Sequence, residues 1–351
     1  SLNGPMWRGG WYVGFPLALY ESLNQLFKIL DTMMASHIGA SAVSAVAYLS
    51  QINMMISAVG TGLAVGASIK VSQAYGAGDF MLVKKRVSTM FAMCGALGIA
   101  ILLVLVPFTP EFLRLMNTPE EFIADGSTYF RLELFGMIIT FFNNVYIAIE
   151  RARGNSKRIL ILNTAVIVVK LGLTAWFVYG LGGGINMISC ATIISQSFLL
   201  LAACINMNQK GNAFGFSLRA ISIKKEVICP MLTLSFPVIV ERIAFAVGKV
   251  IVNSMSTVYG SWTVGALGIS NNIGGITTNP QNGFQEGGSS IISQNLGAGR
   301  PKRALLAFRW VLYIDMLIGL VIMTASLLCL NQLAGLFAGD NAEFAEMIKQ
   351  I

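Results

Sequence analysis

Nine separate runs of at least about 20 mostly apolar residues mark this chain, and they constrain its fold more than any other feature. They lie near 11–35, 42–73, 86–108, 126–149, 159–180, 186–207, 227–257, 263–293 and 304–330. A helix of about 20 residues crosses the hydrocarbon of a bilayer, whereas a membrane barrel strand needs about 10 residues that alternate inward and outward. These runs are too long for strands and lack a period of two. The pattern predicts an all-α integral membrane protein with about nine transmembrane helices. Composition agrees, since only 11% of residues are charged, against about 25% in soluble domains.

A formal net charge of +8 raises the question of nucleic acid, but the placement of the charge answers it. Taking alternate connections between runs, one set carries 15 Lys and Arg, including Arg8, Lys84, Arg86, Arg151, Arg158, Lys225 and Arg303. The other set carries only Arg114. Basic connections collect on the cytoplasmic side of membrane proteins. The sequence therefore predicts a multi-pass protein of the cell membrane, N-terminus inside, with the lipid bilayer as its partner and no nucleic acid. No compact basic-then-apolar segment with a cleavage site opens the chain, so the first helix is read as its own insertion signal. The five cysteines sit singly in apolar context, with no spacing that suggests a metal site or disulfide framework.

The chain also repeats itself. "SQAYGAGD" at Ser72–Asp79 recurs as "SQNLGAGR" at Ser293–Arg300, an offset of 221 residues. The same offset, without gaps, pairs Phe15-Pro16 with Phe236-Pro237, Gly62 with Gly283, Gly66 with Gly287 and Ser68 with Ser289. Six helices separate the copies, an even number, so both enter the membrane from the same side as a parallel repeat. The expected organisation is a six-helix bundle over 1–207, a polar cytoplasmic linker over 208–226, and a second bundle over 227–351 that holds three helices and the start of a fourth. The chain thus reads as one that stops early in its second bundle.

Inside the first run, Glu21, Asn24, Gln25, Lys28, Asp31 and Thr32 share roughly one third of a helix circumference. A charge at the centre of a membrane helix costs roughly 2.5–3.5 kcal/mol on insertion scales. These groups are therefore expected to face a cavity or one another, and Lys28 is within reach of Asp31 one turn on. One reading is a carboxylate that exchanges a proton or sodium ion as access alternates. The other is interhelical bonding. Pro16 removes a backbone hydrogen bond and permits a hinge; Pro237 is its repeat equivalent. In the seventh run Glu241 is a second cation-coupling candidate, with Arg242 beside it as a local partner and Lys249 and Asn253 further along. Asn143 and Asn144 in the fourth run are read either as cavity residues or as a helix-to-helix hydrogen bond. The twin Gly-Ala-Gly segments lack the Lys-Ser/Thr of a phosphate loop and are read as tight turns. His37, the only histidine, is placed at the surface. With one histidine, no H-E-x-x-H and no paired acidic motif, neither a membrane enzyme nor a metal or cofactor is indicated.

Several stretches are similar to one family. "LNGPMWRGGWYVGFPLALYESLNQLFKILDTMMASHIGASAVSAVA", the "SQAYGAGD" turn, "ERARGNSKR" and "FPVIVE" resemble multidrug and toxic compound extrusion (MATE) transporters, on the bacterial branch with DNA-damage-inducible-type members. The resemblance implies two bundles flanking a cavity, and export of amphipathic, often cationic small molecules in exchange for H⁺ or Na⁺ by a monomer. It makes Asp31 the coupling carboxylate of the first bundle, and it implies a cation-binding Glu in the helix of Glu241 and a cavity Asn near Asn143 and Asn144; Asn24, Gln25, Lys28, Lys170, Lys249 and Asn253 are read as further cavity-lining residues. The family often places Asn-x-x-x-Asp in the fifth helix; here those positions carry Val166 and Lys170. One consequence is a buried Asp31–Lys170 ion pair with a displaceable proton; the alternative is that the usual cation site of the first bundle is absent. Proton coupling is the expectation, because a sodium site needs several oxygen ligands. The competing readings are a lipid-linked oligosaccharide flippase of the same fold, and an inactive remnant.

Overall fold

In lipid each backbone N–H and C=O is satisfied within its own segment, so long apolar runs become helices. The computed structural model follows that rule. It describes residues 5–38, 40–115, 120–207, 218–222, 224–259, 261–338 and 342–351; some helical side chains, including those of 25, 27–38, 40–48 and 253, lie outside the described set. The helices are α1 (Met6–Ile38), α2 (Ala40–Gly76), α3 (Phe80–Leu105), α4 (Thr109–Leu115), α5 (Glu120–Arg153), α6 (Ser156–Ala175), α7 (Ile185–Met207), α8 (Lys225–Ser256), α9 (Ser261–Gly297), α10 (Pro301–Leu328), α11 (Leu330–Ala338) and α12 (Ala342–Gln350). A π-helical turn, Trp176–Gly180, prolongs α6.

Each apolar run falls on one long helix, apart from a few terminal residues. Seven described stretches are long and apolar enough to cross a membrane. The other two long helices, α1 and α9, have 33 and 37 residues and carry more polar groups, among them Asn271, Asn279, Gln281 and Glu286 on α9. Several helices outrun their apolar segments, because a helix emerging from lipid keeps its own hydrogen bonds. α10 leaves Leu305, Phe308, Leu312, Met316 and Leu320 exposed.

The repeat is built into the geometry. Ala40 and Gly76, which bound α2, lie one offset before Ser261 and Gly297, which bound α9, and the short α4 and α11 begin at the equivalent Thr109 and Leu330. The two Gly-Ala-Gly segments form matching turns. Gly78 (φ 77°) and Gly299 (φ 74°) adopt the left-handed backbone that favours glycine. The amides of Asp79 and Arg300 donate back to the carbonyls of Ala74 and Asn295 at 3.2 and 2.9 Å. The copies then diverge: Asp79 caps α3 by accepting from the Leu82 amide at 3.2 Å, whereas α10 starts with Pro301, which suits a first helical turn.

The two copies meet through glycines. A side chain at Gly62 would lie 2.8 Å from the Ile239 Cα, and one at Gly283 would lie 2.5 Å from the Ala18 amide. Ile239 and Ala18 are themselves repeat equivalents. Gly66 faces the Ser235 backbone and Gly287 faces Gly14, again an equivalent pair of contacts. Nearer the turns, Gly76 abuts Gln294 and Gly297 abuts Gln73. The contact is a self-complementary seam about a pseudo-two-fold axis, in which missing Cβ atoms let α2 approach α8 and α9 approach α1. Gly66→Ala should clash with Ser235 and lower stability in detergent by about 1–3 kcal/mol, the usual cost of overpacking. Gly248→Ala, at a position with open space around it, should be neutral or stabilising; equal thermal transitions for the two variants would remove the seam's role in stability.

Polar bonds hold the first copy together inside the bilayer. Glu133 of α5 accepts from Asn53 of α2 at 3.2 Å and from Ser189 of α7 at 2.7 Å. Glu133→Ala would leave buried donors without their acceptor and should cost about 1–3 kcal/mol. Thermal unfolding in detergent would measure this, and an unchanged midpoint would show that the bonds contribute nothing.

Candidate functional site

The basic connections converge at one end of the molecule. The start of α1 meets the α5–α6 turn, where the Ser156 hydroxyl donates to the Tyr12 carbonyl at 3.3 Å and the Lys157 ammonium lies 5.1 Å from the centre of the Tyr12 ring. Tyr12 stands four residues before Pro16, whose missing N–H leaves that carbonyl free of its helical donor. Ser156 fills the gap. The ends of α2 and α9 and the start of α8 lie at the same end, on the glycine seam.

The "ERARG" stretch positions one charge of the site. Gly154 (φ 86°) ends α5, and the amides of Gly154 and Asn155 donate back to Arg151 and Glu150, each at 2.9 Å. Glu150 turns inward, 1% exposed, with Arg153 at 3.7 Å and Arg158 at 3.9 Å. Asn206 of α7 donates to Glu150 at 3.2 Å and to the Tyr146 hydroxyl at 2.9 Å, and it accepts from Arg158 at 2.8 Å. This network fixes the turn and presents Arg151 to the second copy.

Arg151 donates to Glu286 of α9 at 2.6 Å; their side chains are 8% and 18% exposed. Arg242 of α8 reaches the other Glu286 oxygen at 3.3 Å. A lone carboxylate in apolar surroundings would be costly, and two guanidinium groups offset that cost. Beside the pair lies a cavity of about 30 Å³, lined among others by Ser68, Ser72, Ser289 and Ser293. Ser68 and Ser72 are the repeat equivalents of Ser289 and Ser293, so the cavity straddles the pseudo-two-fold. It has room for a water molecule. Neutral bonds close the seam around it. Gln294 and Ser72 both donate to the Ala152 carbonyl, at 2.5 and 3.4 Å, and Ser235 donates to the Leu63 carbonyl at 3.2 Å.

The residues expected from sequence are distributed differently. Gln25, Lys28, Asp31 and Asn253 fall within α1 and α8, but their side chains lie outside the described residues, so the Asp31–Lys170 pair does as well. Asn24 is half-buried and within hydrogen-bonding reach of Tyr20. Lys170 is half-buried on α6, and Glu241 and Lys249 are exposed on α8. The local Glu241–Arg242 pair gives way to Arg242–Glu286, because adjacent helix residues diverge by about 100° whereas α9 lies alongside. Asn143 is 1% exposed and donates to the Gln196 side chain and carbonyl at 2.7 and 3.0 Å. Of its two readings the structure shows the helix-to-helix bond; Asn144 beside it is partly exposed. Pro16 is buried and Pro237 exposed, and each lies within a continuous helix at the level of the glycine contacts.

Sequence reasoning missed Glu286 and the seam role of Arg151. One signal was legible: Glu286 falls where the first copy has Val65, so a carboxylate stands between Gly283 and Gly287, two glycines that the repeat keeps.

Comparison with known proteins places this architecture. The MatE family model matches residues 16–176 and 237–351. The chain is 25% identical over 340 residues to the probable multidrug resistance protein YoeA of Bacillus subtilis (strain 168), covering 95% of this chain and 73% of that one. It is 22% identical over 358 residues to the multidrug export protein MepA of Staphylococcus aureus (strain NCTC 8325 / PS 47), covering 99% and 78%. Its fold matches the outward-facing conformation of a multidrug resistance MATE family transporter of the MOP superfamily with a TM-score of 0.93 at 22% identity, over 99% of this chain and 77–78% of such structures. The match extends through both copies of the repeat, and the chain belongs to the MatE family.

Proposed function

We propose that this protein is a secondary active antiporter of the cell membrane, exporting amphipathic, cationic compounds in exchange for protons. One observation carries the reading: two copies of a helical repeat close on each other at one end through a self-complementary seam. Two bodies joined that way can rock about their contact and expose the space between them to either side in turn. On this reading residues 1–207 form the first bundle, 208–226 the linker, and 227–351 belong to the second. Export of drug-like cations is supported by the printed names of the relatives, which are multidrug resistance and export proteins.

Orientation rests on charge. The seam lies at the end where basic connections gather, and that end belongs in the cytoplasm with the N-terminus. The conformation is then closed to the cytoplasm. The polar stripe of α1 begins at Glu21, just beyond the Ala18 contact with Gly283, where the space between the bundles would open.

Asp31 is our candidate for the coupling carboxylate, with Glu241 as the second. Asn24, Gln25, Lys28, Asn144, Lys170, Lys249 and Asn253 are the candidates for the cavity wall. Lys170 favours protons over sodium, since an ammonium supplies no oxygen ligand and repels a cation. In proteoliposomes with an imposed pH gradient, the parent protein should drive efflux of a cationic dye, and Asp31→Asn should abolish the gradient-driven part while leaving dye binding in place. Equal coupled efflux from both would remove Asp31 from the mechanism, and efflux driven by sodium but not by pH would overturn proton coupling.

A further inference from the structure

We infer that Arg151 and Glu286, with Arg242 behind them, form a releasable latch that holds the two repeat copies closed at the basic end. The inference rests on the transport reading only in requiring that the copies separate there.

Three observations lead to it. First, Glu286 puts a carboxylate between two glycines that the repeat keeps, Gly283 and Gly287, where the first copy has an apolar residue. Gly62, Gly66, Ser68 and Ser72 all recur in the second copy, yet Val65 is replaced by a carboxylate. The symmetric glycine seam does not need that charge. Second, the charge is matched across the seam: Arg151 belongs to the first copy and Glu286 to the second, and their contact is 2.6 Å long with both side chains largely buried. The seam bonds around it, from Gln294 and Ser235, go to backbone carbonyls of the first copy. Third, the two guanidinium groups are unequal. Arg242 is in the same copy as Glu286 and 37% exposed. If the copies part, Glu286 keeps Arg242 as counter-ion and Arg151 turns to water at the mouth, where a guanidinium is well solvated. Neither charge is stranded, so the contact can open and re-form.

The closed state alone gains from the Arg151–Glu286 pair, so removing it should shift the balance toward the state open at this end. Met81 and Lys302 are exposed repeat equivalents just beyond the two turns. Spin labels at these positions, in a background with the five cysteines replaced, report the separation of the copies without substrate or transport. In Glu286→Gln and in Arg151→Ala, the ratio of long to short distances should rise on the order of tenfold or more over the parent. The double variant should do little more than either single one, because both remove the same contact. Arg114→Ala, which removes an exposed ion pair with Glu120 at the opposite end of the first copy, should leave the distribution unchanged. Should Glu286→Gln fail to yield folded protein, Arg151→Gln reads the same pair from the other side. Unchanged distances in folded single variants, or additive shifts in the double variant, would overturn the latch. Because the readout is a distance, it stands or falls apart from any result on dye export or its coupling ion.

Discussion

Close backbone approach across the pseudo-two-fold underlies the rest of the structure. In a bilayer, apolar side chains gain little from leaving lipid for one another, so helices associate by packing tightly and by pairing polar groups. The seam uses both. Gly62, Gly66, Gly283 and Gly287 omit the atoms that would hold helices apart, and the Ser235 and Gln294 side chains donate to backbone carbonyls on the opposite copy. Because the two copies are related by one operation, each of these glycine contacts occurs twice. A mutation that created a good contact in one copy would be mirrored only if the repeat carried it too.

Departures from symmetry mark where the halves do different work. Asp79 caps a helix where Arg300 hands over to a proline. Val65 becomes Glu286, opposite Arg151. The first copy has its own internal polar framework at Glu133 and at Glu150, each carboxylate held by donors from neighbouring helices. These charges are satisfied within one bundle and fix its shape, while Glu286 is satisfied between bundles. The same chemistry thus makes one body rigid and leaves the joint between two bodies adjustable.

Membrane character, helix number and the repeat were all legible in the residue order. Runs of about 20 apolar residues have one stable solution in lipid, and an ungapped offset of 221 residues carried the helix boundaries of α2 directly onto those of α9. The turns at Gly78 and Gly299 were legible too, because glycine in such a setting signals a left-handed backbone. The short α4 was not anticipated, since seven residues are too few to show a clear apolar period. Arg242 was misassigned to its chain neighbour, because adjacency in sequence says nothing of which helix packs alongside. Asn143 was left between two readings for the same reason.

The sequence by itself determined that this protein is a stack of membrane helices in two related copies, because hydrophobicity and self-similarity act along the chain and need no knowledge of distant neighbours. Only the tertiary structure decided which polar groups meet. Arg151 and Glu286 are separated by 135 residues, and no local pattern links them; they become partners because glycines bring α2, α5 and α9 within reach at one end. Electrostatic pairing falls off with distance in space rather than with separation along the chain. The charges that hold the copies together could therefore be recognised one by one in the sequence, but not matched.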